Sequence, residues 1–247
     1  MTTDANVERL YQQIELVRGV GDRGRGQLCV MSFVAFLAGE GHTDNPLTAS
    51  ALIRRFAMTI NDEMPDVMRQ RLKAFAPRIL GTRDAHDLAR TRLLIEAART
   101  ELLPRIRADF AEAARSGARV ARAMSGQRRA DRLPELCEQV ASMASHGCNL
   151  WNAQTCEDVA SAVARLISRC GHMAMTPAQR DWYWLKGIDL LDRLTDVGAD
   201  EARPAVPAER VAAMEAFLRQ RQPIMQRRAR TVAAFARVRS LIPVLTR

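Results

Sequence analysis

The chain has 247 residues, of which 47% are hydrophobic and only 5% aromatic, and its formal net charge is +9. This length and apolar content are enough for a packed core, so an intrinsically disordered chain is excluded. The charge must be interpreted with care, because 35 of the 37 basic residues are arginine, a bias that a GC-rich genome produces without selection for binding. With few aromatic rings, the core must consist mainly of alanine, leucine, valine, isoleucine and methionine, which suit helix-on-helix packing. We therefore predict an all-α fold, a globular bundle of about nine or ten helices.

The first forty residues predict two helices separated by a glycine-rich loop. Apolar residues recur at helical spacing from about Asn6 to Arg18, and the four glycines of the following GVGDRGRG stretch predict a mobile loop. The apolar run from Leu28 to Gly39 is about a dozen residues long, too short for the roughly 20 that span a bilayer. It therefore predicts a buried helix that ends at Gly39.

Cysteine usage and the N-terminal sequence bear on localisation. The chain has five cysteines, an odd number, and it begins without a basic segment followed by an apolar one, so secretion is not expected. We expect a cytoplasmic protein with no membrane span.

Proline and capping residues predict where the later helices begin. Asn45 and Pro46 are the expected N-cap and first residue of a third helix, and Pro65 opens a fourth. Pro104 is expected to kink or break a long helix that begins near Ala85. Further helices are predicted to begin at Pro134, Thr155, Thr176, Pro207 and Pro223.

The whole chain, residues 1–247, is interpreted as a single helical domain. The alternative is an N-terminal helical domain, 1–117, and a C-terminal one, 133–247, with an arginine-rich connector between them. We find no repeat at the period that helical solenoids need.

Glu40, His42 and Asp44 lie on a short loop between two predicted helices. A histidine between two carboxylates could act as a general base, or the three side chains could hold a metal ion. Capping chemistry explains every residue of this loop except His42, so a structural turn is the competing interpretation.

A second group of side chains has the donor types that zinc prefers, namely His146, Cys148, Cys156, Cys170 and His172. Their spacing matches no common zinc motif, and no C-x-x-C is present. Buried free thiols and histidines near helix C-termini are the simpler interpretation. We therefore predict no metal and no cofactor.

Recognisable enzyme motifs are absent from the sequence. There is no phosphate-binding G-x-x-x-x-G-K-[ST] loop, no G-x-G-x-x-G before a helix and no G-x-S-x-G elbow. We therefore favour a non-catalytic protein, with an enzyme centred on Glu40, His42 and Asp44, such as a metal-dependent hydrolase, as the alternative.

Arginine-rich segments give the strongest functional signal. Residues 61–132 carry 16 basic and 10 acidic groups, 133–215 carry 7 and 12, and 216–247 carry 8 and none. The candidate anion-binding residues are Arg115, Arg119, Arg122, Arg129, Arg219, Arg221, Arg227, Arg228, Arg230, Arg237 and Arg239. Such a density of like charge indicates an anionic partner, either a nucleic-acid backbone or an acidic protein surface. The acidic residues 133–215 of the chain itself are a competing partner for the C-terminal segment.

Trp182, Tyr183 and Trp184 are consecutive on a predicted helix. Neighbouring side chains on a helix point about 100° apart, so these three rings cannot all enter one core. A helix buried on several sides is the favoured interpretation. The alternative is that Trp182 and Trp184 anchor an interface, for example in a homo-oligomer.

Overall fold

The computed structural model describes residues 10–115, 133–145, 153–201 and 206–220. Within them the predicted all-α class, with about nine or ten helices, is confirmed. The helices are α1 Val30–Ala38, α2 Ala51–Glu63, α3 Asp66–Arg69, α4 Ala76–Ile79, α5 Asp87–Ala97, α6 Leu103–Arg115, α7 Leu133–Ser145, α8 Ala153–Met173, α9 Pro177–Asp196 and α10 208–220. The helix predicted from Pro223 lies outside the described residues.

Three very short strands precede α1. They are β1 Glu15–Leu16, β2 Gly21–Asp22 and β3 Gln27–Leu28, in the order β1-β3-β2, with β1 parallel and β2 antiparallel to β3. Residues 10–13 are helical, but β1 begins at Glu15, so the predicted first helix does not extend to Arg18, and the glycine-rich stretch after it contains β2. The reason is a close backbone approach: a Cβ on Gly21, whose φ is +80°, would lie 2.2 Å from the carbonyl oxygen of Gln27. Glycine thus lets β2 pair with β3.

α8 lies at the centre of the fold, where it packs against α2, α5, α7 and α9. Its inward face is made of small and branched apolar residues, which let neighbouring helices approach closely. These residues are Val159, Ala160, Val163, Ala164, Leu166 and Ile167. Buried apolar side chains from Leu10 to Leu218 belong to one hydrophobic cluster, to which helices on both sides of residues 116–132 contribute.

Two predicted helix starts are corrected by the structure. The third helix begins at Ala51 and not at Pro46, because the Ser50 hydroxyl caps it by accepting from the backbone N–H of Ile53 at 3.1 Å. Thr155 lies inside α8, which begins at Ala153.

The starts predicted at Pro65 and at Thr176 are confirmed. Thr176 forms a full capping box with Gln179. The Thr176 hydroxyl accepts from the backbone N–H of Gln179, and the Gln179 side-chain oxygen accepts from the backbone N–H of Thr176. The predicted end of α1 at Gly39 is confirmed as well.

Pro104 does not break the chain of helices. Residues Ala98–Leu102 form a π-helical turn that joins α5 to α6. Proline has no N–H to donate and its ring collides with the carbonyl four residues earlier, and a wider turn relieves both constraints. Of the helices described, none has the length and the apolar character needed to cross a membrane.

Candidate functional site

Glu40 holds the turn on which it lies. Its carboxylate accepts hydrogen bonds from the backbone N–H groups of Leu47, at 2.5 Å, and Thr48, at 3.2 Å. His42 is exposed and Asp44 is half-buried. In the part of the chain that the structure describes, no three His, Cys, Asp or Glu side chains are grouped so as to hold a metal ion. Glu40, His42 and Asp44 are thus not grouped as metal ligands in the structure, and a catalytic role for them stays a prediction.

The predicted cysteine and histidine cluster is only partly within the described residues, because His146 and Cys148 lie outside them. Cys156 and Cys170 are free and buried on α8. Burial raises the pKa of the Cys170 thiol, so the thiolate that zinc requires is disfavoured there. His172 pairs instead with Glu63, with 3.1 Å between Nε2 and Oε2.

Most of the candidate anion-binding arginines also lie outside the described residues. These are Arg119, Arg122, Arg129, Arg221, Arg227, Arg228, Arg230, Arg237 and Arg239. Arg115 is the last residue of α6. Arg219, on α10, is largely exposed and lies 3.4 Å from the Glu215 carboxylate.

Buried arginines in the helical body serve the fold. Arg90 is fully buried, and its guanidinium donates to both oxygens of Asp84, at 2.6 and 2.7 Å, and to Asp87 at 3.0 Å. It also donates to the carbonyls of Leu194 and Val197 near the end of α9. Burial opposes its charge, but the hydrogen bonds from this guanidinium outweigh burial, and the pKa of Arg90 is raised. Arg90 thus ties α5 to α9.

Two basic residues of α9, Lys186 and Arg193, are neutralised in the same way. Lys186 Nζ and Arg193 Nη1 each lie 2.8 Å from an oxygen of the Glu101 carboxylate. Burial disfavours ionisation of Glu101, but these two donors outweigh it and lower the pKa of the carboxyl group. Arg78 on α4 pairs with carboxylates on the last turns of α9.

At least half of the acidic residues in 133–215 are engaged within the body. Twelve carboxylates lie in this segment, all among the described residues, and at least six of them face a basic side chain within 4.0 Å. These six are Glu157, Asp189, Asp192, Asp196, Glu201 and Glu215. Half of the acidic surface that could have received the basic C-terminal segment is therefore already paired.

The net positive charge of the protein resides in the segments outside the described residues. The described residues contain 23 basic and 25 acidic side chains, a net charge of −2. Residues 116–132 contain 5 basic side chains and 1 acidic one, and residues 221–247 contain 7 and none. A nearly neutral helical body thus carries two strongly basic segments.

The helix that leads into the last basic segment is docked on the body. The Arg23 guanidinium lies between the rings of Phe36 and Phe217, 4.5 and 4.8 Å from their centres. Arg210 lies over the C-terminal end of α1, where a Cβ on Gly39 would be 2.6 Å from its Cζ. Cations are favoured at this end of a helix, because its last carbonyls carry partial negative charge. Residues 221–247 therefore continue from an anchored helix.

Only one of the two candidate interface tryptophans has free surface. Trp184 is 1% exposed and belongs to the core. Trp182 is half-buried, with the Arg105 guanidinium 5.0 Å from its ring centre. Between them, the Tyr183 hydroxyl donates to Asp109 at 2.6 Å. The interface interpretation therefore depends on Trp182.

A polar cleft that the sequence did not predict lies between α7, α8 and the end of α2, with a volume of about 320 Å³. Its α8 wall carries Arg165, Arg169 and His172, which are spaced so that they share one helix face. Glu63 on α2 and Glu135 on α7 also line it. The spacing on α8 is visible in the sequence, but the carboxylates come from two other helices, so the fold is needed to bring the cleft together.

No protein-family model, no curated protein and no solved structure matches this chain.

Proposed function

We propose that this protein is a non-catalytic adaptor or subunit that binds the phosphate backbone of a nucleic acid through its arginine-rich segments, 116–132 and 221–247. The observation that carries the proposal is the separation of charge. The helical body has a net charge of −2, whereas the two segments together carry 12 basic side chains against 1 acidic one. Unneutralised arginines at this density repel one another unless an anion lies among them.

The state of the body's carboxylates supports an external partner. At least half of the acidic side chains of residues 133–215 are already paired with basic groups. The buried arginines of the body are neutralised as well, so they contribute little to an external field. The charge available for recognition therefore belongs mainly to the two segments.

The composition of the C-terminal segment favours contacts with phosphates over contacts with bases. Residues 221–247 contain seven arginines and a single aromatic residue, Phe235. Stacking on single-stranded bases needs several aromatic rings, whereas guanidinium groups suit phosphate oxygens, which they can hold with two parallel hydrogen bonds. Recognition by such a segment is largely independent of nucleotide sequence.

Two other modes of binding are alternatives to a nucleic-acid partner. An acidic protein surface presents carboxylates that arginines also recognise, and self-association through Trp182 would bring two sets of basic segments together. An enzyme at Glu40, His42 and Asp44 is less well supported, because Glu40 is engaged by two backbone N–H groups. A cytoplasmic location, where nucleic acid is available, belongs to the same proposal.

The test is a triple variant in the C-terminal segment, Arg227→Ala, Arg228→Ala and Arg230→Ala, assayed for binding to labelled duplex and single-stranded nucleic acid. Each lost phosphate contact reduces the counterion release that drives binding, so we expect affinity at about 0.1 M salt to fall about tenfold or more. The loss should be similar for unrelated sequences, because the lost contacts are to the backbone.

A matched control removes the same charge from the body, through Arg71→Ala, Arg92→Ala and Arg180→Ala. All three side chains are exposed, and none forms an ion pair with a described carboxylate. The control should bind almost as well as the unchanged protein. An equal loss in both variants, or no loss in either, would contradict a specific role for the C-terminal segment. Failure of the unchanged protein to bind nucleic acid would redirect the search to acidic proteins. His42→Ala should leave binding unchanged.

A further inference from the structure

The cleft between α7, α8 and the end of α2 has unpaired charge of both signs. Neither Arg165 nor Arg169 forms an ion pair with any described carboxylate, and Glu135, also on the cleft lining, has no basic partner among the described residues. The buried arginines Arg69 and Arg90 are paired with carboxylates, whereas these charges line a cavity without such partners. Unpaired charges of both signs that line one polar cavity offer complementary contacts to a charged ligand.

Two residues of the cleft lining, His172 and Ser168, are held in position by contacts with the body. His172 is held on one side by Glu63, 3.1 Å away, and on another by the edge-to-face packing of its ring on Trp184, with the ring centres 5.2 Å apart. The Ser168 hydroxyl is buried and donates to the carbonyl of Ala164 at 2.9 Å, which leaves its oxygen free to accept. A ligand would therefore meet groups that are already in position.

The arrangement of these groups indicates the kind of ligand. Arg165 and Arg169 are one helical turn apart, so their guanidinium groups can approach the same oxyanion with paired, charge-assisted hydrogen bonds. Glu135 and Gln139, on α7, offer acceptors to hydroxyl or amino groups. The volume of about 320 Å³ lies at the small end of ligand pockets and suits a small molecule rather than a stretch of polymer.

We propose that this cleft binds a small polar molecule that has an oxyanion, either a phosphate or a carboxylate, held by Arg165 and Arg169, and hydroxyl or amino groups that face Glu135 and Gln139. None of the residues named for this site belongs to the arginine-rich segments.

The test is calorimetric titration of the full-length protein with four probes: inorganic phosphate, ribose 5-phosphate, citrate and uncharged ribose. Binding of ribose 5-phosphate in preference to citrate assigns the oxyanion as phosphate, and the opposite order assigns it as carboxylate. Ribose alone should not bind. Failure of all three anionic probes to bind at millimolar concentration would overturn the proposal.

Variants separate the cleft from other basic surfaces. Arg165→Ala with Arg169→Ala should weaken binding of the preferred probe at least about tenfold, because two charge-assisted contacts are lost. Arg71→Ala with Arg92→Ala removes the same charge elsewhere and should leave the affinity unchanged. Equal losses in these two double variants would overturn a defined site.

Two further variants keep the result interpretable. Glu135→Gln should weaken ribose 5-phosphate more than inorganic phosphate, because it acts on the hydroxyl side of the ligand. The triple variant at Arg227, Arg228 and Arg230 should retain probe binding while it loses nucleic acid, so failure of one proposal is distinguishable from failure of the other. Probe binding that is lost together with nucleic-acid binding in that triple variant would contradict the cleft. Circular dichroism and the unfolding temperature would check that each variant is folded.

Discussion

Arg90 shows what a buried charge does in this protein. Its guanidinium is fully buried, yet each of its three nitrogens donates to a carboxylate or a carbonyl. A buried ion pair adds little to stability compared with apolar packing, but removal of one partner leaves the other charge buried without compensation. Arg90 is therefore needed for the fold once Asp84 and Asp87 are present.

We expect Arg90→Met to lower the free energy of unfolding by about 3–5 kcal/mol, because it leaves the Asp84 carboxylate without its partner. Urea denaturation measures this change. Arg99→Met is the matched control, since Arg99 pairs with Glu96 on the surface, where both side chains are more than half exposed. Its cost should be below about 1 kcal/mol. Equal effects in the two variants would contradict the role assigned to Arg90.

Acid should destabilise the protein through the same carboxylates. Burial raises the pKa of Asp84, but hydrogen bonds from Arg90 and from the backbone N–H of His86 outweigh it, and the net pKa is lowered. The pKa of Glu101 is lowered for a comparable reason, through hydrogen bonds from Lys186 and Arg193. As the pH falls, the unfolded chain takes up these protons before the folded protein does. The stability they contribute is therefore present above about pH 4 to 4.5 and is lost below it, as the pH falls toward the folded pKa values.

Unfolding free energies measured between pH 7 and pH 3 test this expectation. They should change little from pH 7 to about pH 5 and decrease steadily below about pH 4. Asp84→Asn together with Glu101→Gln should be less stable at pH 7 and less sensitive to acid. An acid response that is unchanged in this double variant would show that other groups are responsible.

At the scale of elements, local signals located several helix ends. The end of α1 at Gly39 and the helix starts at Pro65 and Thr176 were predicted correctly. Their signals are the left-handed cap of Gly39, the fixed φ of Pro65 and the capping box of Thr176, each of which acts within a few residues. The two-residue strands could not be predicted, because they depend on a contact between Gly21 and the backbone of residue 27. The π-helical turn before Pro104 likewise requires α5 and α6 to stay packed against their neighbours.

Gly171 marks the close approach of α8 to α9. A Cβ at this position would lie 2.7 Å from Cε2 of the buried Trp184 ring. We expect Gly171→Ala to destabilise the protein by about 1–3 kcal/mol, because a rigid ring has no room to shift. Such a loss would mean that the clash with Trp184 outweighs the gain in helix propensity of roughly 1 kcal/mol that alanine brings over glycine.

Gly187, on α9, provides the matched control for that substitution. The nearest atom to a Cβ there is Cδ1 of Ile60 at 3.2 Å, the flexible end of a side chain. Gly187→Ala should therefore be neutral or slightly stabilising in the same thermal or urea measurement. Stabilisation by both substitutions would contradict the described packing of Trp184 against α8.

At the scale of the whole molecule, the candidate sites differ in how far the sequence predicts them. The basic segments are visible in the sequence, because charge is additive along a chain. The difference in charge between these segments and the body could be recognised only in the structure. There the body's Arg78, Arg90 and Arg193 are paired with carboxylates. The cleft at Arg165 and Arg169 was not predicted, because its other walls come from helices that are distant in sequence.

We have proposed that the nearly neutral helical body binds a nucleic-acid backbone through the arginine-rich segments. The most direct test is the affinity of the full-length protein for two duplexes of unrelated sequence at several salt concentrations between about 50 and 200 mM. We expect log affinity to decrease linearly with log salt, with a slope of about −0.9 for each phosphate contact and the same slope for both duplexes. Absence of binding at 50 mM salt, or binding that discriminates between the duplexes and is insensitive to salt, would contradict it.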